Sequence, residues 1–300
     1  MQIQSQGSSA PINQAAQHTL FVEGSNDDGF DTVVLKTLLR QDARLDALSV
    51  KALGSCSNMR SAAEALFRVH PTYYFLIDRD DHPTQKVERS WRKFPDPNSC
   101  NILILRKREL ENYFIDPAYL AKAKDLDPNF PLEQKILDIC NDRIFIEATN
   151  LTLYSLDRKL KRTLGIRHFT ETEQFQTYED GLQRLQSLSQ IPQRQESITE
   201  LLEADSIAQI YQHFIQELTN GVIPLEYDQG NWLDLMAGKE IFETIARQAF
   251  QVKDQAGNIQ QGEDRKKTIA KDLVRRLPLA EKPQDFQELV ELLADRLQSA

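Results

Sequence analysis

The chain has 300 residues, of which 40% are apolar, 27% charged and 8% aromatic, a composition of folded globular proteins rather than disordered ones. Its 45 acidic and 36 basic side chains leave a net charge of −9, which counts against coating nucleic acid by bulk charge but leaves room for a local basic groove. No apolar run reaches the ~18 residues of a membrane span, and three scattered cysteines without CxxC spacing argue against zinc and disulfides, so a reduced, cytoplasmic setting is expected.

Residues 1–17 lack the basic start and apolar core of a signal peptide and read as a disordered polar tail. His18–Gly24 is a continuous apolar run ending in turn residues, the pattern of a buried parallel strand. A helix follows over Asp28–Arg40, with Asp27 or Asp28 as its N-cap. Leu48–Leu53 reads as a second strand, Asn58–Val69 as a second helix and Thr72–Asp78 as the strongest strand. A short helix near Val87–Lys93 precedes a fourth strand, Asn101–Arg106. This alternation predicts an α/β fold with a parallel sheet flanked by helices over residues 18–120. Beyond Pro117 the pattern turns helical: Glu133–Cys140, Ser155–Leu164, Tyr178–Leu188, Ile198–Leu218, Lys239–Val252, Arg265–Leu277 and Gln284–Gln298. Residues 121–300 are therefore expected to form a separate, mostly α-helical domain, and they carry −8 of the net charge.

Parallel sheets present functional groups at the carboxyl ends of their strands. Glu23 ends the first strand, with Asp27 at the following helix start; Asp78 ends the third, with Asp80 and Asp81 just beyond. Asp78 and Asp80 share a face if the extended geometry persists. Glu23 follows three apolar residues, where an unpaired carboxylate is costly and a cation offers a partner. Oxygen ligands of this kind suit Mg²⁺ or Mn²⁺.

FVEG-x-x-D at 21–27 and LIDRDD at 76–81 resemble the two signature motifs of Toprim domains, and Arg106–Leu120 is similar to a stretch after the fourth strand in OLD-like Toprim nucleases. It also resembles stand-alone Toprim effectors that work beside an ABC-type ATPase in anti-phage systems. The resemblance covers residues 18–120, with a weaker echo at Trp232–Phe242. The zinc finger of bacterial primases is absent, and no GxxxxGK[ST] P-loop provides an internal motor. The resemblance implies a metal-dependent nuclease acting on DNA or RNA, tRNA among the candidates, as an antiviral defence effector controlled by an ATPase partner, with homodimerisation a further option. Glu23 and Asp27 are assigned to one ion and Asp78 and Asp80 to the other, with shared ligation expected, Asp81 as an outer group, and Glu111 as an outer ligand or a charge partner of the nearby arginines. Two other readings stand beside it. One is a latent or non-catalytic module acting through protein partners. The other is a DxD phosphatase, although those enzymes carry DxD on their first strand.

Basic residues complete the reading. Arg106 and Arg108 stand at the end of the fourth strand, placed to clamp phosphate; Lys267 and Lys271, four residues apart, share a helix face and provide positioning contacts to phosphates or a merely solvated surface. Tyr113 and Trp232 either stack on bases or fill the core. Gly238 reads as a break before a helix starting near Lys239, where a cation opposes the helix dipole. OLD-like nucleases bring a lysine to their metals from downstream of the DxD, and the resemblance gives that catalytic role to Lys239.

Overall fold

The computed structural model describes residues 18–80, 82–96, 101–164, 182–183 and 190–298. Asp81, the tail 1–17, Cys100, most of the expected helix Tyr178–Leu188 and Arg167 lie outside the described residues.

Four strands build one parallel sheet: β1 (His18–Val22), β2 (Leu48–Ala52), β3 (Tyr73–Ile77) and β4 (Ile102–Ile104), in the order β2-β1-β3-β4. Every residue of β1 and β3 is buried, which explains their unbroken apolar sequences. In register, Val22 pairs with Ala52 on one side and Leu76 on the other. The chain leaves β1 toward β2, then crosses back to β3, so the carboxyl ends of β1 and β3 flank the crevice where the direction of winding reverses. Ligands of open α/β sheets bind in such crevices.

Three helices connect the strands: α1 (Phe30–Leu39), α2 (Cys56–Leu66) and α3 (Thr84–Lys93). The N-cap of α1 is Gly29, not Asp27 or Asp28, because the Asp27 carboxylate instead accepts the Ala52 backbone N–H at 2.9 Å. Strand β3 ends at Ile77, and Asp80 adopts a left-handed conformation with φ 47°, so Asp78 and Asp80 do not continue one extended face.

A short 3₁₀ turn, Leu110–Phe114, and α4 (Pro117–Leu120) lead into α5 (Leu132–Leu164). That single helix joins two segments read separately from the sequence; no Gly or Pro stands between Pro131 and Gly165 to interrupt it. The expected helix Ile198–Leu218 is instead two, α6 (Gln190–Leu202) and α7 (Ala204–Thr219), parted at the extended Glu203. Then come α8 (Trp232–Leu235), α9 (Gly238–Ala249), α10 (Gly262–Arg276) and α11 (Gln284–Gln298).

The expected boundary at residue 120 is replaced by a different division. One compact unit comprises residues 1–141 and 231–300; the other is 142–230. The reason is packing: α10 lies along α1, α9 lies against α10 and the Leu110–Phe114 turn, and α11 meets α1. Phe30, Phe114 and Phe242 interlock at centroid distances of 5.8–6.2 Å, tying the last helices to the sheet layer.

Candidate active site

The crevice between β1 and β3 holds a cluster of acids met by Lys239 at Asp78 and by Lys266 at Glu111, all within the first unit. Glu23 leaves β1 just before Gly24, whose φ of +137° only glycine adopts readily and whose backbone exchanges hydrogen bonds with Gly54. That paired turn aims Glu23 across the crevice, where its Oε1 accepts the Asp78 backbone N–H at 3.1 Å. Burial raises the Glu23 pKa and the Asp80 charge adds to the rise, while the Asp78 and Cys56 N–H groups pull it back. Asp78 is 6% exposed, and burial together with the Asp31 charge holds its carboxyl well above the usual range.

Lys239 reaches this cluster from the far end of the chain. Its Nζ lies 3.3 Å from Asp78 Oδ2, and its backbone N–H donates to Glu109 Oε2 at 2.8 Å. Burial disfavours the ammonium, but Asp78, Glu111, Glu109 and Asp31 overcome this and hold Lys239 charged, above lysine's ordinary value. Asn112 sets the position: its Nδ2 donates to the carbonyls of Leu233 and Met236, and Gly238 packs directly against it.

Asp31 and Glu109 were not singled out from the sequence. Asp31 stands in the first turn of α1, and burial followed by the Glu111 charge pushes its pKa up to about 8. Its signal was present: Asp31 precedes Val34, Leu35 and Leu38 at helical spacing, an acid on the core-facing stripe. Glu111 is 1% exposed; its Oε1 lies 3.6 Å from Lys266 Nζ, and Oε2 is buried without a hydrogen-bond partner.

Other expected site residues are not brought into the crevice. Asp27 pairs with Lys51 at 3.1 Å; burial nudges its pKa up, but the Ala52 N–H and Lys51 lower it overall. Asp80 is exposed, though its charge is felt by Glu23 and by Cys56, whose thiol burial pushes up to about 11. Arg106 is not a vacant phosphate clamp: it binds Glu88, Asp285 and Glu288 and stacks on Trp91 at 3.9 Å. Arg108 is buried and donates to the Leu235 carbonyl at 3.2 Å. Lys267 pairs with Asp264 at 2.8 Å, whereas Lys271 is exposed. Tyr113 and Trp232 are core residues, 1% and 2% exposed, and the Tyr113 hydroxyl donates to Asp285.

Carboxylates of the kind a hard cation takes, those of Glu23, Asp31 and Asp78, border a void of about 10 Å³ whose other walls are leucine, isoleucine and valine, while the orphan Glu111 Oε2 lies outside that lining. A void of that size holds about one water-sized particle. Among the described residues, no three His, Cys, Asp or Glu side chains converge on a common point for an ion. Lys239 at Asp78 and Lys266 at Glu111 supply neutralising charge.

In class the chain is thus an α/β protein with a parallel four-stranded sheet, an acidic crevice at its winding reversal and a largely helical C-terminal region. Comparison with protein-family models, curated proteins and solved structures gave no match. No helix among the described residues is long and apolar enough to cross a membrane.

Proposed function

We propose that the chain is a Mg²⁺- or Mn²⁺-dependent nuclease of the Toprim type, acting on phosphodiester bonds of DNA or RNA. One observation carries the reading: Glu23 and Asp78, just beyond the ends of β1 and β3, meet at the crevice, with Asp78 N–H on Glu23 Oε1 and the Lys239 ammonium on the Asp78 carboxylate. In this reading Glu23 and Asp78 would hold the cation, with the charges of Asp31 and Glu111 felt at Asp78 and Asp80 at the rim. When bound, the metal supplies an acidified water and screens charge on the leaving oxygen. Lys239, charged and held by Glu109, lies beside Asp78, where an ammonium can neutralise charge building on a scissile phosphate. Water has limited access to Asp78, which strengthens every charge interaction there.

The test is incubation of the purified chain with Mg²⁺ or Mn²⁺ and, separately, plasmid, single-stranded DNA and total tRNA. Cleavage abolished by EDTA is the expected result. Metal-independent cleavage, or none in any condition, contradicts the reading.

A second reading, a latent module governed by a protein partner such as an ABC-type ATPase, draws support from α5. Phe145, Ile146, Leu153 and Tyr154 are each more than half exposed there, an apolar display more usual at protein contacts. Cleavage that appears only on adding the partner favours this reading.

A further inference from the structure

Outside the acidic crevice, a groove of about 610 Å³ opens along β2, the edge strand of the sheet. Lys36 of α1, Arg40 at its C-cap and Lys51 of β2 line it, with Asp46 as the one acid, over a floor of leucines and Val50. Arg40 is exposed and makes no ion pair among the described residues. The Lys36 ammonium donates to the Asp27 backbone carbonyl at 3.5 Å, and its charge also acts on the Asp27 carboxylate. Lys51 pairs with the Asp27 carboxylate, in the same β1–α1 loop that carries Glu23. A cationic groove therefore leads to the loop bearing the carboxylate at the crevice. This occurs in a chain whose net charge is −9, so three cations against one acid in the lining are uneven with the whole.

We infer that this groove binds the phosphate backbone of the nucleic-acid substrate, with Lys36 and Arg40 contacting successive phosphates and Lys51 at the end nearest the cleavage site. The inference rests on the nuclease reading and adds to it the path by which substrate arrives. Flexible cations on one wall fit backbone positioning, which carries no sequence information. An acidic peptide added as a strand to β2 fits less well. The Ala52 N–H at that end of the edge is already held by Asp27, which shortens the row open to pairing.

The experiment measures anisotropy of two fluorescein-labelled probes, a single-stranded DNA oligonucleotide and an RNA hairpin, across a salt series. The protein is the 300-residue chain carrying Glu23→Ala, so that cleavage does not consume the probe. Adding Lys36→Gln/Arg40→Gln is expected to weaken binding at least about tenfold and to lower the slope of log affinity against log salt by about 1.4–1.8, or 0.7–0.9 for each lost phosphate contact. Lys36→Glu/Arg40→Glu should weaken binding further, and thermal melts of every variant verify folding. The inference is overturned if the parent binds neither probe. It is equally overturned if the neutral variant binds within twofold and keeps its slope, or if a polyglutamate peptide occupies the groove and neither probe displaces it. Metal-dependent cleavage with an unchanged Lys36→Gln/Arg40→Gln variant overturns the groove alone. Salt-dependent binding through Lys36 and Arg40 without metal-dependent cleavage overturns the nuclease reading and supports the groove.

Discussion

Asp78 and Lys239 are 161 positions apart in the chain and 3.3 Å apart in space. That contact gives the lysine a specific expected behaviour. Lys239→Ala should lower turnover at least about tenfold, the modest end of what one preorganised donor supplies, while the melting-temperature rise on adding Mg²⁺ is retained. Turnover within twofold of the parent would make the ammonium a surface charge. Asp31 makes a second prediction. Its folded pKa of about 8 lies above the ordinary 3.8, so its protonation favours the fold fully below about pH 4, and that contribution is lost as pH rises through 8. In EDTA the parent should melt lower at pH 8 than at pH 5, and Asp31→Asn should fall less over the same window. His18, with its pKa lowered by burial, acts in the opposite direction near pH 6.5, so the parent–variant difference is the quantity to read. Equal slopes would show that Asp31 does not titrate in this range. Glu23 and Asp78 were legible in the sequence because an acid closing an apolar strand lacks solvent and needs a partner. Asp27 was misplaced because chain spacing does not reveal that a loop folds its carboxylate back onto β2. Arg106 was misread similarly: its three carboxylate partners include Asp285 and Glu288, distant in sequence and supplied by the last helix.

At the level of elements, the junction between the Leu110–Phe114 turn and α9 governs the site. A Cβ on Gly238 would stand 2.7 Å from the Asn112 backbone nitrogen and closer still to its Oδ1. Both atoms belong to a turn fixed by the Asn112 hydrogen bonds to Leu233, Met236 and Glu109. Gly238→Ala should therefore destabilise the chain by about 1–3 kcal/mol, as overpacking does, and reduce turnover by moving Lys239. Denaturant unfolding beside an activity assay checks both, and a variant as stable and active as the parent would mean that the junction yields freely. The sheet and most helices could be read from sequence, since buried strands and 3.6-residue stripes leave strong patterns. The 3₁₀ turn could not: its role depends on Asn112 meeting carbonyls more than a hundred residues away. The long α5 was split in the reading because polar residues such as Asn141 and Asp142 weaken its apolar stripe without ending the helix.

For the whole molecule, the helices after residue 231 belong with the sheet, which delivers Lys239 to carboxylates from the first third of the chain. The change to helical patterning after Pro117 reads as a separate domain; the Phe30, Phe114 and Phe242 contacts that bind these helices to the sheet are tertiary and leave no local signature. A cluster of like charges that folding forces together should be stabilised by a cation that binds only the folded state. Mg²⁺ or Mn²⁺ is thus expected to raise the melting temperature of the parent and not of Asp78→Asn/Asp80→Asn; equal shifts would put the ions elsewhere. The most direct measurement compares cleavage by the parent and Glu23→Ala under matched Mn²⁺, with melts run in parallel. The account predicts that Glu23→Ala remains folded and loses cleavage, because one carboxylate fewer relieves repulsion while removing a cation-holding group. A folded Glu23→Ala that cleaves at the parent rate would contradict it.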